Sequence, residues 1–348
     1  MADQNQNEHE LSFEAHNDVA KLVICVVKHP FDLAKTLIQI GYEPLPSFPT
    51  RNIFGRPKIG LPGALSYLGF VFRHEGVTGI FRGLPYNVID YFSYRYTYNY
   101  IEKNVGKYCP YLQITTPDLS EDSAEVTTTE YQPAPNLIIK LHKDGRRQNV
   151  PIDFSSSFDE LTRVVARDGL CITGALVASY PFHVLLIRNF ASFVGKETVY
   201  DFPFSAIKDI VNNEGLLGFY SGFVPRLIGE LSCLVVTKSI IILLIKPYFN
   251  TPEYSSILTT IVNFIVPAVL YPFNLVSTVM AVNGCKSIQA ANLEPEFISW
   301  TECWNHLSSM GNLKRGSSII WRFQTLPPSG TPPRPDGFSS YGSLKKSW

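Results

Sequence analysis

Five stretches of this chain are apolar for long enough to cross a bilayer as helix, which takes about 20 residues. They cover residues 19–40, 84–101, 170–194, 223–245 and 257–282. The last carries no formal charge and is the clearest span. The first holds Lys21, Lys28, Asp32 and Lys35, and the second holds Asp90 and Arg95 among tyrosines. Taken alone, these two read as soluble amphipathic helices as readily as spans. Their place in a repeat decides for spans, because a polar residue facing a bundle interior is tolerated where one facing lipid is not. The third stretch carries His183 and Arg188, and the fourth Arg226, Glu230 and Lys238.

Three of the stretches are interrupted alike, by His29-Pro30-Phe31, Tyr180-Pro181-Phe182 and Tyr271-Pro272-Phe273. Proline inside a helix removes a backbone hydrogen bond and kinks the rod. Three copies, two of them followed by a Glu-Gly element, mark an internal repeat, and a repeat decides the fold. The expected fold is an all-α membrane protein built as a three-fold pseudo-repeat of kinked helices. Its repeats cover 18–103, 168–246 and, in degenerate form, 254–322, after a polar N-terminal tail at 1–17.

Residues 104–167 form a soluble insertion, which explains why the first two prolines stand farther apart than the last two. Its threonine-rich, acidic part, 115–135, is expected to be disordered. Residues 137–142 and 148–152 flank Asp144-Gly145 as a small hairpin, and Ser155 to Ser157 with Glu160 cap a short amphipathic helix through Val165. The tail, 323–348, is dense in proline, glycine and serine from 326 onward and cannot supply a spanning helix. The repeat predicts a sixth span, and that span is missing or degenerate.

Composition removes several function classes. The chain is 45% hydrophobic and 17% charged, against roughly a quarter charged in soluble domains. Lys plus Arg equal Asp plus Glu at 30 each, so no global field draws nucleic acid, and no basic stripe with interleaved aromatics is present. The six cysteines lack Cys-x-x-Cys spacing and read as buried free thiols. Residues 1–14 carry neither a secretory signal nor a matrix presequence, so targeting information is expected to be internal. No histidine pattern suits a metal, and no nucleophile elbow, His-Glu-x-x-His or phosphate-binding glycine loop occurs. The expectation is a protein without enzymatic chemistry, cofactor or metal.

The first repeat reads Pro30-x-Asp32-x-x-Lys35, then Glu75-Gly76 and Phe81-Arg82-Gly83. The second keeps Pro181, Glu214-Gly215 and Tyr220-Ser221-Gly222 but has His183 and Leu186 at the charged positions; the third keeps Pro272 with Asn274 and Ser277. This resembles the signature of the mitochondrial solute carriers. More specific strings, Gly41-Tyr42-Glu43-Pro44-Leu45-Pro46, Arg51-Asn52-Ile53-Phe54-Gly55-Arg56 and Gly222-Phe223-Val224-Pro225-Arg226-Leu227, resemble the divergent branch called mitochondrial carrier homologs.

In ordinary carriers the three acid/base motifs are understood to join as a ring of ion pairs that closes one side of a six-helix barrel. Here Asp32 and Lys35 alone survive, and a buried charge without its partner is costly. A gate of that type cannot form, which disfavours alternating transport. The resemblance implies instead an insertase of the mitochondrial outer membrane, multi-pass, for α-helical proteins including tail-anchored ones. Client helices and membrane lipids are the partners implied, with apoptotic regulators as a further possibility. A bundle short of one helix has a polar interior open to lipid, through which a client's polar flank could pass without being left bare in hydrocarbon. The alternatives are a degenerate metabolite transporter and a receptor or scaffold for apoptotic regulators.

Candidate groove residues follow from helical spacing. Lys28, Asp32 and Lys35 share one face of the first helix, although Asp32 with Lys35 could be only a local ion pair at the kink. Arg226 and Glu230 are four apart in the fourth stretch, with Cys233 and Thr237 continuing the stripe. Arg226 could snorkel from the helix start; Glu230 lies deeper and is the strongest single candidate. Asn87, Asp90, Tyr94 and Tyr98 form a third stripe, with Arg95 beside it, where the tyrosines could equally be packing residues. His183 and Asn274 are assigned by repeat position, and polar interhelical contact is the alternative role for each.

Overall fold

The computed structural model describes residues 2–51, 57–112, 154–248, 252–318 and 322–323. The disordered stretch, the hairpin and the proline-rich tail expected at 115–135, 137–152 and 326–348 lie outside them. In chain order the elements are α1 (Ala2–Gln39), β1 (Phe48–Arg51), β2 (Pro57–Leu61), α2 (Ala64–Ile80), α3 (Leu84–Tyr108), α4 (Phe154–Ala191), α5 (Pro203–Asn213), α6 (Phe223–Ser239), α7 (Lys246–Tyr248), α8 (Pro252–Val269), α9 (Tyr271–Val282), α10 (Trp300–Ser309) and β3 (Arg322–Phe323). A π-helical turn, Ile240–Ile245, carries α6 into α7.

Among the described residues two segments, Ser157–Ala191 and Leu216–Ile245, are long and apolar enough to cross a membrane, and a third counts if the bent pair Tyr254–Val269 and Tyr271–Val282 is one span. The charges of α1, and the tyrosines and asparagines of α3 together with Asp90 and Arg95, keep these two helices below that criterion. The bend of that pair is 45°, so the stretch at 257–282 is two helices and not one rod. Pro30 and Pro181 lie inside α1 and α4, but Pro272 opens α9. Its missing N–H costs nothing at a helix start, where that donor has no partner in any case. The short helix expected at 155–165 is the first part of α4, and α1 extends back to Ala2 through the polar N-terminal segment.

The core lies at one end of the bundle. On α1, residues beyond Pro30 such as Leu33, Leu37 and Ile38 are buried, whereas Val23, Ile24 and Val27 before it are exposed. The same end collects Tyr67 and Val71 of α2, Val184 and Phe190 of α4, Ala206 and Ile210 of α5, and Ala281 and Val282 of α9. Leu275, Val276 and Val279 of α9 pack with Cys303 and Leu307 of α10 in a second cluster. On α6, the π-helical turn after it and α8, Val235, Leu244, Phe264 and Val269 are exposed, as expected of helices whose outer face meets lipid.

Three chain crossings tie this end together. Arg82 donates from Nη2 to the Glu197 carbonyl (3.2 Å) and to Asp201 (3.0 Å). Ser221 donates to the Met280 carbonyl at 2.6 Å, and Arg315 donates to the Gln39 carbonyl. Each residue precedes a glycine of positive φ: Gly83 (77°), Gly222 (78°) and Gly316 (80°). Only glycine takes that conformation without strain; at Gly222 a Cβ would also collide with the Ser277 carbonyl. Helices start directly after Gly83 and Gly222.

Beyond Gly316 the described residues contain no helix, and Arg322–Phe323 pairs antiparallel with β2, which in turn pairs with β1. No pattern in the chain predicts this small sheet. Arg322 fixes it by an ion pair with Glu43 and a 2.8 Å donation to the Pro62 carbonyl. The Tyr67 hydroxyl donates to the Tyr42 carbonyl at 2.8 Å, and burial together with the Glu43 carboxylate pushes its phenol well above the ordinary range.

Candidate functional site

Above the packed end, α1, α3, α4 and α6 surround a cavity of about 590 Å³. Lys21, Ile24, Cys25, Lys28 and Asp32 of α1 line it, with Asn87, Asp90, Tyr91, Tyr94 and Arg95 of α3, Leu176, Ser179, Tyr180 and His183 of α4, and Arg226 and Glu230 of α6. None of these residues comes from α8, α9 or α10. Charged side chains of both signs are among the lining residues: cationic Lys21, Lys28, Arg95 and Arg226, and acidic Asp32, Asp90 and Glu230.

Nine residues singled out from helical spacing and repeat position therefore share one cavity: Lys28, Asp32, Asn87, Asp90, Tyr94, Arg95, His183, Arg226 and Glu230. Two do not line it. Lys35 lies beyond Pro30, its ammonium 5.5 Å from the centroid of the Tyr271 ring. Asn274 stands behind the wall and accepts from Arg226 Nη1 at 2.7 Å. Asp32 pairs with Lys28 at 3.3 Å and not with Lys35; the i, i+4 partner shares its wall, whereas Lys35 turns toward α9. Tyr98, Cys233 and Thr237 are also outside the lining.

Acidic side chains are placed beside basic ones around the wall. Arg226 and Glu230 are 3.1 Å apart on α6, and His183 Nδ1 of α4 approaches Asp90 of α3 at 3.5 Å. A relay joins α1 to α3: Cys25 donates to Asn87 Oδ1 (3.6 Å), and Asn87 Nδ2 donates to His29 Nδ1 (2.8 Å). His29 Nε2 then donates to the Arg82 carbonyl at 2.9 Å. Such a wall offers donors and acceptors of both signs to a polar segment, and Asp32, Asp90 and Glu230 each have a basic neighbour.

Lys21, Cys25, Ser179 and Tyr180 line the cavity without belonging to the stripes that spacing singles out. Lys21 and Cys25 carry a signal, since 21, 25, 28 and 32 keep the three-and-four rhythm of one helix face. Nothing in the sequence places Ser179 or Tyr180 at the floor.

The floor is closed without an ion-pair ring. Tyr180 donates to the Ser221 carbonyl at 3.0 Å and lies 3.1 Å from Ser277 Oγ, which donates to the Gly222 carbonyl at 2.8 Å. Gln39 Nε2 donates to the Tyr271 hydroxyl at 2.8 Å, and that hydroxyl donates to the Arg315 carbonyl. Arg188, fully buried, reaches both carboxylate oxygens of Glu214 at 2.7 Å and the Ala281 carbonyl at 2.9 Å. The loss of the repeated charges thus removes the ring but not the closure.

Among the described residues no group of His, Cys, Asp and Glu is arranged to hold a metal ion. The six cysteines are free thiols, and Cys171, Cys285 and Cys303 are buried.

An apolar helical bundle with paired charges inside it is the architecture of a membrane protein. Residues 169–241, essentially α4 through α6, match the family described as mitochondrial carrier protein. Mitochondrial carrier homolog 2 of Homo sapiens is 31% identical over 305 residues, covering 86% of this chain and 90% of that protein. Its counterpart from Pongo abelii matches to the same extent. Mitochondrial carrier homolog 1 of Mus musculus is 27% identical over 324 residues, covering 86% and 74%. The chain belongs to the mitochondrial carrier homologs, a family of mitochondrial membrane proteins.

Proposed function

We propose that this protein inserts α-helical proteins, tail-anchored ones among them, into the mitochondrial outer membrane, where it sits as a multi-pass protein. The observation that carries the reading is the one-sided wall of the polar cavity. Four helices line it, and α8 and α9 contribute no lining residue. A client helix entering between α1 and α8/α9 would keep its apolar face in lipid while its polar flank met Lys28, Asp90 and Glu230. Leaving such a flank unpaired in hydrocarbon costs several kcal/mol or more by order of magnitude. Covalent chemistry and nucleotide play no part.

The three glycine-marked crossings support a three-fold pseudo-repeat in which Arg82, Ser221 and Arg315 each secure the next repeat, the third returning to α1. In that scheme a sixth helix would begin after Gly316. The strand at Arg322–Phe323 and its attachment to β2 support a bundle from which that helix has been lost, leaving the interior open to lipid.

The test is insertion of a fluorescent tail-anchored client into liposomes containing the purified protein. Glu230→Arg, at matched protein level, is expected to lower the initial rate about tenfold, the equivalent of roughly 1.4 kcal/mol. An unchanged rate would remove the groove mechanism. A passive metabolite pathway is the second reading, favoured by a cavity closed at one end only; solute uptake by the same liposomes without insertion would select it.

A further inference from the structure

Three of the four helices that wall the cavity are clamped together above it. Arg167 of α4 pairs with Glu102 of α3 at 2.6 Å. Asp168 of α4 pairs with Lys238 of α6 at 2.9 Å, and Glu160 with Lys246 of α7 at 2.7 Å. Because all three clamps start from α4, they hold α3, α4 and α6 as one unit.

The fourth wall, α1, is held differently on the two sides of Pro30. Beyond the proline, Leu33, Ala34, Leu37 and Ile38 are fully buried, and Arg315 fastens the helix end at Gln39. Before it, no residue from Ala20 to Lys28 is buried. Among the described residues of that part, Cys25 makes the one hydrogen bond to another helix, to Asn87 Oδ1 at 3.6 Å. Pro30 has no N–H to give to the Val26 carbonyl, so the joint between the two halves lacks a helical hydrogen bond. The proline alone does not loosen a helix. α4 contains Pro181, yet Cys171, Ala175, Leu176 and Ser179 before it are buried.

Asn87 of α3 sits at this joint. Its Oδ1 accepts from Cys25 and its Nδ2 donates to His29 Nδ1 at 2.8 Å, so one amide spans the last turn of α1 before the proline. His29 is firmly seated: it is buried, packs edge-on against Phe190 and donates to the Arg82 carbonyl. The Cys25 contact above it depends on a thiol, a weak donor.

We infer that α1 before Pro30 is the movable wall of the cavity, a lateral gate that turns about the proline and that Asn87 latches against α3. Opening parts Cys25 from Asn87 while α3, α4 and α6 stay clamped. Val23, Ile24 and Val27, exposed on the outer face of α1, remain in lipid throughout. Asn87 is thus a positioning residue, acting through α1. That a client's polar flank is what passes the gate rests on the insertase reading; the gate itself does not.

The test tethers the gate. Asn87→Cys places a thiol beside native Cys25, to be joined by copper–phenanthroline and released by dithiothreitol in liposomes holding the full chain. The tether is expected to lower the initial rate of tail-anchored insertion about tenfold, because a held lid withholds the open state, and reduction should restore it. Ser93→Cys with Ala178→Cys joins α3 to α4, where the Ser93 hydroxyl already donates to the Ala178 carbonyl at 3.3 Å, and is expected to change nothing. A complete tether at Asn87→Cys without effect, or equal loss from both tethers, would overturn the gate.

Should the untethered protein insert nothing, the insertase reading fails, and Cys25 reports on the gate directly. Asn87→Leu, similar in bulk, is expected to speed alkylation of Cys25 by N-ethylmaleimide several-fold and to leave Cys233 of α6 unchanged. No change at Cys25, or the same rise at Cys233, would overturn the gate.

Discussion

Arg315 donates through Nε and Nη2 to the backbone carbonyl of Gln39, at 3.0 and 2.7 Å, joining residues 276 positions apart. Its Nη1 pairs with Glu294 at 2.6 Å, so one guanidinium fastens the end of α1 to the segments flanking α10. Removing it leaves a half-buried carbonyl and a carboxylate without their donor. Arg315→Ala is expected to cost about 2–4 kcal/mol, read as a lower midpoint of thermal unfolding in detergent. An unchanged midpoint would show that this crossing does not hold the bundle closed.

Arg188 and Glu214 call for a double-mutant cycle. The Arg188 side chain is fully buried and Glu214 is 19% exposed. Breaking such a pair from one side is expected to cost roughly 3–5 kcal/mol, because the other charge stays buried. Arg188→Met should therefore unfold far more easily than wild type, and adding Glu214→Gln should restore part of the loss. Strict additivity of the two changes would contradict the coupling.

Lys35 and Glu230 separate scaffold from groove. Lys35 rests on the Tyr271 ring, outside the cavity, and a cation over an aromatic face is worth about 0.5–2 kcal/mol. Lys35→Ala is expected to lower the unfolding midpoint and leave client insertion within about twofold of wild type, a difference of roughly 0.4 kcal/mol. Glu230→Arg should do the reverse. Insertion that responds to Lys35→Ala but not to Glu230→Arg would move the client path away from the cavity.

Cys303 gives a pH-dependent signature outside the spans. Burial is the main force that pushes its thiol from the ordinary 9.0 up to about 12, and Glu294 adds to it. The folded protein keeps this proton to about pH 12, whereas the unfolded chain releases it near 9.0. Stability is thus expected to fall as pH rises through that window. Cys303→Ala should flatten the alkaline slope, and iodoacetamide at pH 8.5 should label exposed Cys109 while sparing Cys303. Equal labelling of the two would refute the burial argument.

Helix faces are legible in the chain because α-helical geometry returns every third or fourth side chain to one side. Lys28 with Asp32, Asp90 with Tyr94, and Arg226 with Glu230 each form a stripe by spacing alone, and all six line the cavity. Lys35 and Asn274 fall outside it because spacing says which residues share a face but not where along a helix the cavity ends. The tight crossings beside Gly83, Gly222 and Gly316 set that limit. The sheet formed by β1, β2 and β3 leaves no trace in the sequence for a related reason: Arg322–Phe323 is too short to carry a strand pattern and is defined only by its pairing with Gly60 and Leu61.

The amino-acid order alone determined the apolar segments, the repeated proline and Glu-Gly marks, and the absence of a charge ring, all of which are local or periodic properties. Only the tertiary structure decided that the floor closes without that ring, through Tyr180, Tyr271 and the Arg188–Glu214 pair. It also decided which helices wall the cavity and that Arg322–Phe323 pairs with β2. These outcomes depend on contacts between residues far apart in the chain, where packing and hydrogen-bond geometry in three dimensions choose among partners that sequence spacing leaves equivalent.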